Sequence, residues 1–167
     1  MTEPLASALD PWPDTVRWRP VSTRLIWVEE LQLLLGTGSL VLACAVAWLV
    51  LDWRLLGLAA LVLAAVGLVR AVAIVRAVRA WGYAERERDL LVRHGRIVRR
   101  LSIVPYARMQ FVDVSAGPLE RVFGLATVQL HTAAAASDAR VPGLEPAEAA
   151  RLRDRLAALG EDRSEGL

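Results

Sequence analysis

The chain has 167 residues, a formal net charge of +2 and 55% hydrophobic residues, which leaves room for one small domain beside a membrane segment. Its single cysteine, Cys44, excludes an intramolecular disulfide and supports no metal site. All twenty basic residues are arginine, and ten of them fall between Arg70 and Arg108, so the basic excess is local although the total charge is near balance.

Residues 1–21 carry Pro4, Pro11, Pro13 and Pro20, which exclude a long continuous helix. Trp12 and Trp18 alternate with Arg17 and Arg19, the pairing expected of a segment resting in a headgroup zone. This stretch is therefore expected to be a flexible or interfacial arm. It lacks a basic region leading into a short apolar core with a small-residue cleavage site, so no removable signal peptide is predicted.

Residues 22–80 read as a transmembrane helical hairpin. Ser22 is placed to cap a helix that includes Glu29 and Glu30. Leu31 to Leu51 contains no charged residue and at ~1.5 Å per residue spans roughly 30 Å, the thickness of a bilayer's hydrocarbon core. A second span runs from about 55 to 75, interrupted only by Arg70, which lies near enough to its end to snorkel. Asp52-Trp53-Arg54 is the tip between them. The alternative, a buried hairpin of a soluble protein, conflicts with the lack of a polar face over about five turns. Arginines crowd both flanks against the single Arg54 at the tip, so the positive-inside rule places both termini in the cytoplasm.

Within the spans, Gly36, Ser39, Ala43 and Ala47 on the first and Gly57, Ala60, Ala64 and Gly67 on the second form small-residue stripes. Such stripes let helices approach closely in lipid; they either pack on each other or dock a second membrane protein. Cys44 belongs to the same packing. No Asp, Glu, Lys or His lies deep in either span, which argues against a proton relay or ion path made by this chain alone.

From Trp81 the hydrophobic period changes. Trp81 to Arg86, Asp89 to His94, Arg96 to Pro105 and Met109 to Ser115 read as short antiparallel strands, and Thr127 to His131 alternates cleanly. Val141-Pro142 ends a last strand. Pro118 to Gly124 reads as one or two helical turns, with proline at the start and glycine at the stop. A final helix from Pro146 to Leu159 places Ala149, Leu152, Leu156 and Leu159 on one face, with Gly160 as its stop. The expected fold is α+β: the hairpin, then a small antiparallel barrel or sandwich over 81–160 capped by its C-terminal helix, then a polar tail at 161–167.

Trp81-Gly82-Tyr83, Leu91-Val92-Arg93-His94-Gly95, Ile103 to Gln110, Gly117 to Ala126, Val128 to Ala133 and Pro142-Gly143-Leu144 together resemble the bacterial pleckstrin-homology (PH) domain of YdbS-like membrane proteins. With the hairpin, the resemblance covers about Trp18 to Leu159. Ala133 to Ala136 departs from it, standing where a glycine-containing hairpin is usual. The resemblance implies a PH-like fold, a bacterial inner-membrane location and pairing with a larger YdbT-like protein of repeated PH-like domains. It brings no catalytic residues and no implication of phosphoinositide binding.

The residues themselves carry no catalytic or metal constellation and call for no cofactor. His94 and His131 lack a ligand cluster, Ser102, His94 and Asp113 lack a nucleophile-elbow context, and Gly36-Thr37-Gly38 lacks the basic residue of a phosphate loop. Two candidate surfaces remain. Arg76, Arg79, Arg93, Arg96, Arg99, Arg100 and Arg108 form a juxtamembrane basic band suited to anionic lipid, each charge near such a surface adding about 1 kcal/mol. Leu119, Val122 and Phe123 sit on the short helix as a barrel plug or a protein-docking edge. Nucleic acid is not expected, since the arginines are not interleaved with aromatic residues. The favoured reading is a non-enzymatic membrane-anchored assembly subunit; the alternative is a sensor of anionic lipid through the arginine band.

Overall fold

The charge-free run does form helix. The computed structural model describes residues 16–95, 98–132 and 139–164. In it two long helices, α1 (Arg24–Leu51) and α2 (Arg54–Ala80), contain the two predicted spans. Of their most apolar windows, 0% and 6% is buried within the protein. A core helix of a soluble domain would hide such surface; both helices are long and apolar enough to cross a membrane. Asp52 ends α1 in the left-handed region at φ 48°, and the Leu56 N–H bonds to the Trp53 carbonyl at 2.9 Å to start α2.

α1 is not uniform. α-Helical Arg24–Leu33 and Ser39–Leu51 flank a π-helical turn, Leu34–Gly38. A π turn inserts an extra residue into the helical ladder and is usually tied to a local function. Here the Ser39 hydroxyl donates to the Gly36 carbonyl at 2.8 Å, partly satisfying the disturbed backbone.

The leader departs from expectation. Residues 16–25 group with the domain, not with the hairpin, and Arg19–Pro20 forms a strand, β1. β1 pairs with β2 (Gly82–Glu85), Arg19 opposite Tyr83 and Pro20 opposite Gly82. Residues 16–21 are thus no free arm. Pro20 is tolerated because an edge strand leaves one row of donors unneeded. Beyond β1 the Ser22 N–H bonds to the Gly143 carbonyl at 2.9 Å, and buried Leu25 packs on Gly143. The hairpin is therefore an insertion between two hydrogen-bonded strands of the domain.

The remaining strands follow the predicted order: β3 (Asp89–His94), β4 (Arg100–Pro105), β5 (Met109–Ser115), β6 (Ala126–Thr132) and β7 (Ala139–Leu144). They form two antiparallel sheets, β1-β2-β3-β4 and β5-β6-β7, an open sandwich instead of a closed barrel. The corner between them is a 3-10 turn, Tyr106–Arg108, whose buried Tyr106 donates its hydroxyl to the Arg86 carbonyl at 3.0 Å. α3 (Pro118–Val122) is the short predicted helix, and α4 (Pro146–Ser164) closes the sandwich.

Ala149, Leu152 and Leu156 of α4 are completely buried, together with Leu90, Val128, Leu130 and Val141 from the sheets. Each fully buried leucine of this kind contributes about 1.5–3 kcal/mol. Two sequence expectations are corrected. β7 runs through Pro142 to Leu144, which an edge strand allows. α4 runs past Gly160 to Ser164, because a glycine with open space around it costs only about 1 kcal/mol in a helix and does not end it alone.

An ionic network fastens leader, sheet and α4 together. Glu85 of β2 pairs with Arg151 at 2.6 Å and Arg155 at 3.2 Å. Glu148 takes Arg151 at 2.8 Å, Arg19 of β1 at 2.9 Å and the Tyr83 hydroxyl at 2.7 Å. The mutual pairing drives the Glu148 carboxyl down to about 2, through Arg151 first, and holds the Arg151 guanidinium above its ordinary value.

Candidate functional site

Three local features build a polar cleft in the domain. β3 ends at His94 directly opposite Arg100, the first residue of β4. In the other sheet, Gln129 lies opposite Arg140 and Leu130 opposite Ala139. Trp81 is the single residue between the end of α2 at Ala80 and the start of β2 at Gly82. Together they enclose a cleft of about 690 Å³. Its floor is buried Val92 and Leu130; its walls carry His94, Arg100, Ser102, Gln129, His131 and Arg140.

The Trp81 indole organises one wall. It stacks on the His94 imidazole, centroids 4.8 Å apart and planes 19° apart, and the Arg140 guanidinium lies 6.0 Å from its ring centroid, within cation–π range. Burial first, and then the charges of Arg100 and Arg140, press the His94 pKa below its ordinary value. His94 Nδ1 is buried with no hydrogen-bond partner among the described residues. On the other sheet His131 stacks on Phe111 at 4.3 Å. The cleft thus offers donors and positive charge above an apolar floor.

The predicted arginine band is divided. Arg76 and Arg79 on α2, and Arg99, Arg100 and Arg108 in the domain, are exposed; Arg96 lies outside the described residues. Arg93 is half-buried, crossing Gly82 with its guanidinium 4.6 Å from the Trp18 ring, and burial lowers its pKa. Of the band's described residues, Arg100 alone lines the cleft. Trp81, His94, His131 and Arg140 were not singled out by the sequence as one site. Their signal is spatial, since they come from a connector and three strands.

The short helix is pinned at its start. Glu120 accepts the Gly117 N–H at 2.7 Å and the Thr127 hydroxyl at 2.8 Å. Leu119 and Phe123 are half-buried and Val122 is 78% exposed. Exposed apolar side chains also lie on the outer strands. Among the described residues β4 pairs only with β3 and β5 only with β6, leaving an open edge on each, and Ile103 and Phe111 on these strands are exposed.

In the hairpin, Gly57 faces the Trp48 ring, where an added Cβ would lie 2.9 Å away, and Gly67 faces Thr37. Ala60 is buried. The structure does not bring the first stripe to this contact as a unit: Gly36, Ser39 and Ala43 are exposed, Ala47 is half-buried, and Ala64 on the second span is exposed. Thr37 and Trp48 contact the second span where a stripe of small residues was expected. Ser39, Ala43 and Ala47 follow the π turn on one regular helical stretch, and that stretch turns its Trp48 side to the second span. Beside the turn, Thr37, Gly38, Val41, Ala64 and Gly67 line an apolar groove of about 320 Å³ with Glu30 in its wall.

The family model described as the bacterial PH domain matches residues 21–160, hairpin included. The chain is 41% identical over 81 residues to the UPF0699 transmembrane protein YdbS of Bacillus subtilis (strain 168), a stretch that covers 48% of this chain and 50% of that protein. The match therefore spans about half the length of this curated relative. No solved structure matches the chain.

Proposed function

The chain belongs to the bacterial PH domain family, and from that premise we propose that it is a membrane-anchored assembly subunit. Its partner is a larger membrane protein of repeated PH-like domains, of the YdbT-like kind. Its role is recognition without turnover, in the inner membrane with both termini cytoplasmic. The observation that carries the reading is the pair of open edges on β4 and β5, with Ile103 and Phe111 exposed beside them. An open edge accepts a partner's strand through main-chain hydrogen bonds, and flanking apolar side chains supply the fit. The exposed Gly36, Ser39 and Ala43 face offers a close-packing surface for a partner helix in lipid.

The test is purification of the tagged chain from its native membrane in mild detergent at moderate and high salt, with mass spectrometry of what is retained. A stoichiometric membrane protein that survives high salt, and is lost on Ile103→Asp while the domain stays folded, is the expected result. Retention of no such protein, or its equal retention by Ile103→Asp, sinks the reading. A second reading, contact with anionic lipid, is favoured by the exposed Arg76, Arg79, Arg99 and Arg108; binding through that band alone falls steeply with salt.

A further inference from the structure

The hairpin carries two charges of opposite sign that its own packing leaves unanswered. Glu30 is half-buried in the wall of the apolar groove beside the π turn, and Arg70 is exposed on the second span. Among the described residues neither has a hydrogen bond or an ion pair. Ionisable groups beside hydrocarbon are costly alone and persist where a partner meets them. The two share one rim. Leu63, Gly67 and Arg70 follow at spacings of four and three, which places them on one face of α2, and Leu63 and Gly67 line the groove. Their depths also agree. From the level at which Gly67 packs on Thr37, Glu30 lies seven residues toward the start of α1 and Arg70 three toward the end of α2, the same direction in an antiparallel hairpin. At ~1.5 Å per residue these are roughly 10 Å and 5 Å, and an arginine stem leaning toward the headgroups covers the difference.

The rest of the groove suits a helix. Gly38, Ala64, Gly67 and Ala71 line it and leave the backbone within reach of another span. An acyl chain matches the apolar lining of this groove of about 320 Å³ but brings no cation to Glu30. A second copy does. A two-fold axis along the membrane normal holds both copies at one depth, so an acid and a base on one rim meet their opposites twice. We propose that the groove docks a second copy of this chain, with Arg70 of each copy against Glu30 of the other. The inference goes beyond the assembly reading, uses neither open strand edge, and stands on the hairpin lying in lipid.

The experiment uses purified full-length chains carrying a donor or an acceptor fluorophore tag, reconstituted together in phosphatidylcholine vesicles with no other protein. Energy transfer between wild-type chains, lost on dilution with untagged chain, is expected. Glu30→Arg alone and Arg70→Glu alone each set like charges across the interface and should weaken self-association at least about tenfold. Mixing the two variants should restore transfer to within about twofold of wild type, since both pairs are then present with their signs reversed. Arg54→Glu, at the exposed hairpin tip, should change nothing. Helicity equal to that of the wild type shows the variants intact, and the double variant Glu30→Arg/Arg70→Glu should associate with itself. An ion pair within one chain predicts no recovery on mixing, and that result overturns the proposal. So does a wild type that gives no transfer, with lipid alone in its groove, and so do single variants that associate as the wild type does. With no other protein present, failure here leaves the assembly reading standing.

Discussion

The Tyr83 hydroxyl donates to Glu148 at 2.7 Å, joining the strand that leaves the hairpin to the helix that closes the domain. Arg19, from the strand that enters the hairpin, reaches the same carboxylate oxygen at 2.9 Å. One side chain on α4 thus holds both ends of the insertion.

That carboxylate should set the acid response of the fold. Arg151 first, then Tyr83 and Arg19, lower its pKa from 4.5 to about 2. A depressed folded pKa contributes stability that is full above the unfolded value and fades as pH falls from 4.5 toward 2. Glu148→Gln should cost about 1–3 kcal/mol at neutral pH, and the deficit should shrink across that window. Urea unfolding of the detergent-solubilised chain at several pH values checks this; a deficit independent of pH would mean that ionisation is not its source.

Gly143 tests the leader's seat on the second sheet. Its φ of +69° is left-handed and an added Cβ would lie 3.0 Å from Leu25. Gly143→Ala should destabilise the domain by about 1–3 kcal/mol. Leu25→Ala removes the Cγ and Cδ2 contacts but keeps the Cβ at 3.0 Å, so it relieves part of the clash while opening a cavity, and the double variant should be somewhat less impaired than the sum of the singles. Additive losses would count against direct contact between the two positions.

His94 reports on its neighbours. Burial together with Arg100 and Arg140 lowers its pKa, so the folded state holds fewer protons on this ring than the unfolded chain just below pH 6.5. Stability should therefore decline as pH falls through that value toward the folded pKa. Arg140→Gln should raise the His94 pKa, read by its imidazole resonances; an unchanged titration would show that the Arg140 charge does not reach the ring.

In the hairpin, Gly57 has no room for a side chain against Trp48. Gly57→Ala should weaken helix pairing in detergent by about 1–3 kcal/mol, and Trp48→Leu in the same chain should recover part of the loss. Resistance of the single variant to unfolding equal to that of the wild type would show that the two helices slide apart freely at this level.

How legible each feature was in the sequence follows from the range of the forces behind it. Leu31 to Leu51 declared itself because lipid demands an unbroken apolar run, and the α4 face because Ala149, Leu152 and Leu156 repeat at helical spacing. β1 did not, since two residues ending in a proline carry no period of their own and gain a strand only from β2 beyond the whole hairpin. The π turn hid within a sequence that is apolar on every side, where one extra residue changes no local pattern. Trp81, His94 and Arg140 are unremarkable singly and become a cleft only through strand register.

Because Pro20 and Gly82 are paired across the base of the inserted hairpin, the domain's first strand leaves the ribosome before the membrane helices and its second strand after them. The first sheet stays unfinished until both spans have been made. A helical hairpin then stands where a long loop would otherwise join the two strands, and a shorter effective loop lowers the entropy cost of their pairing.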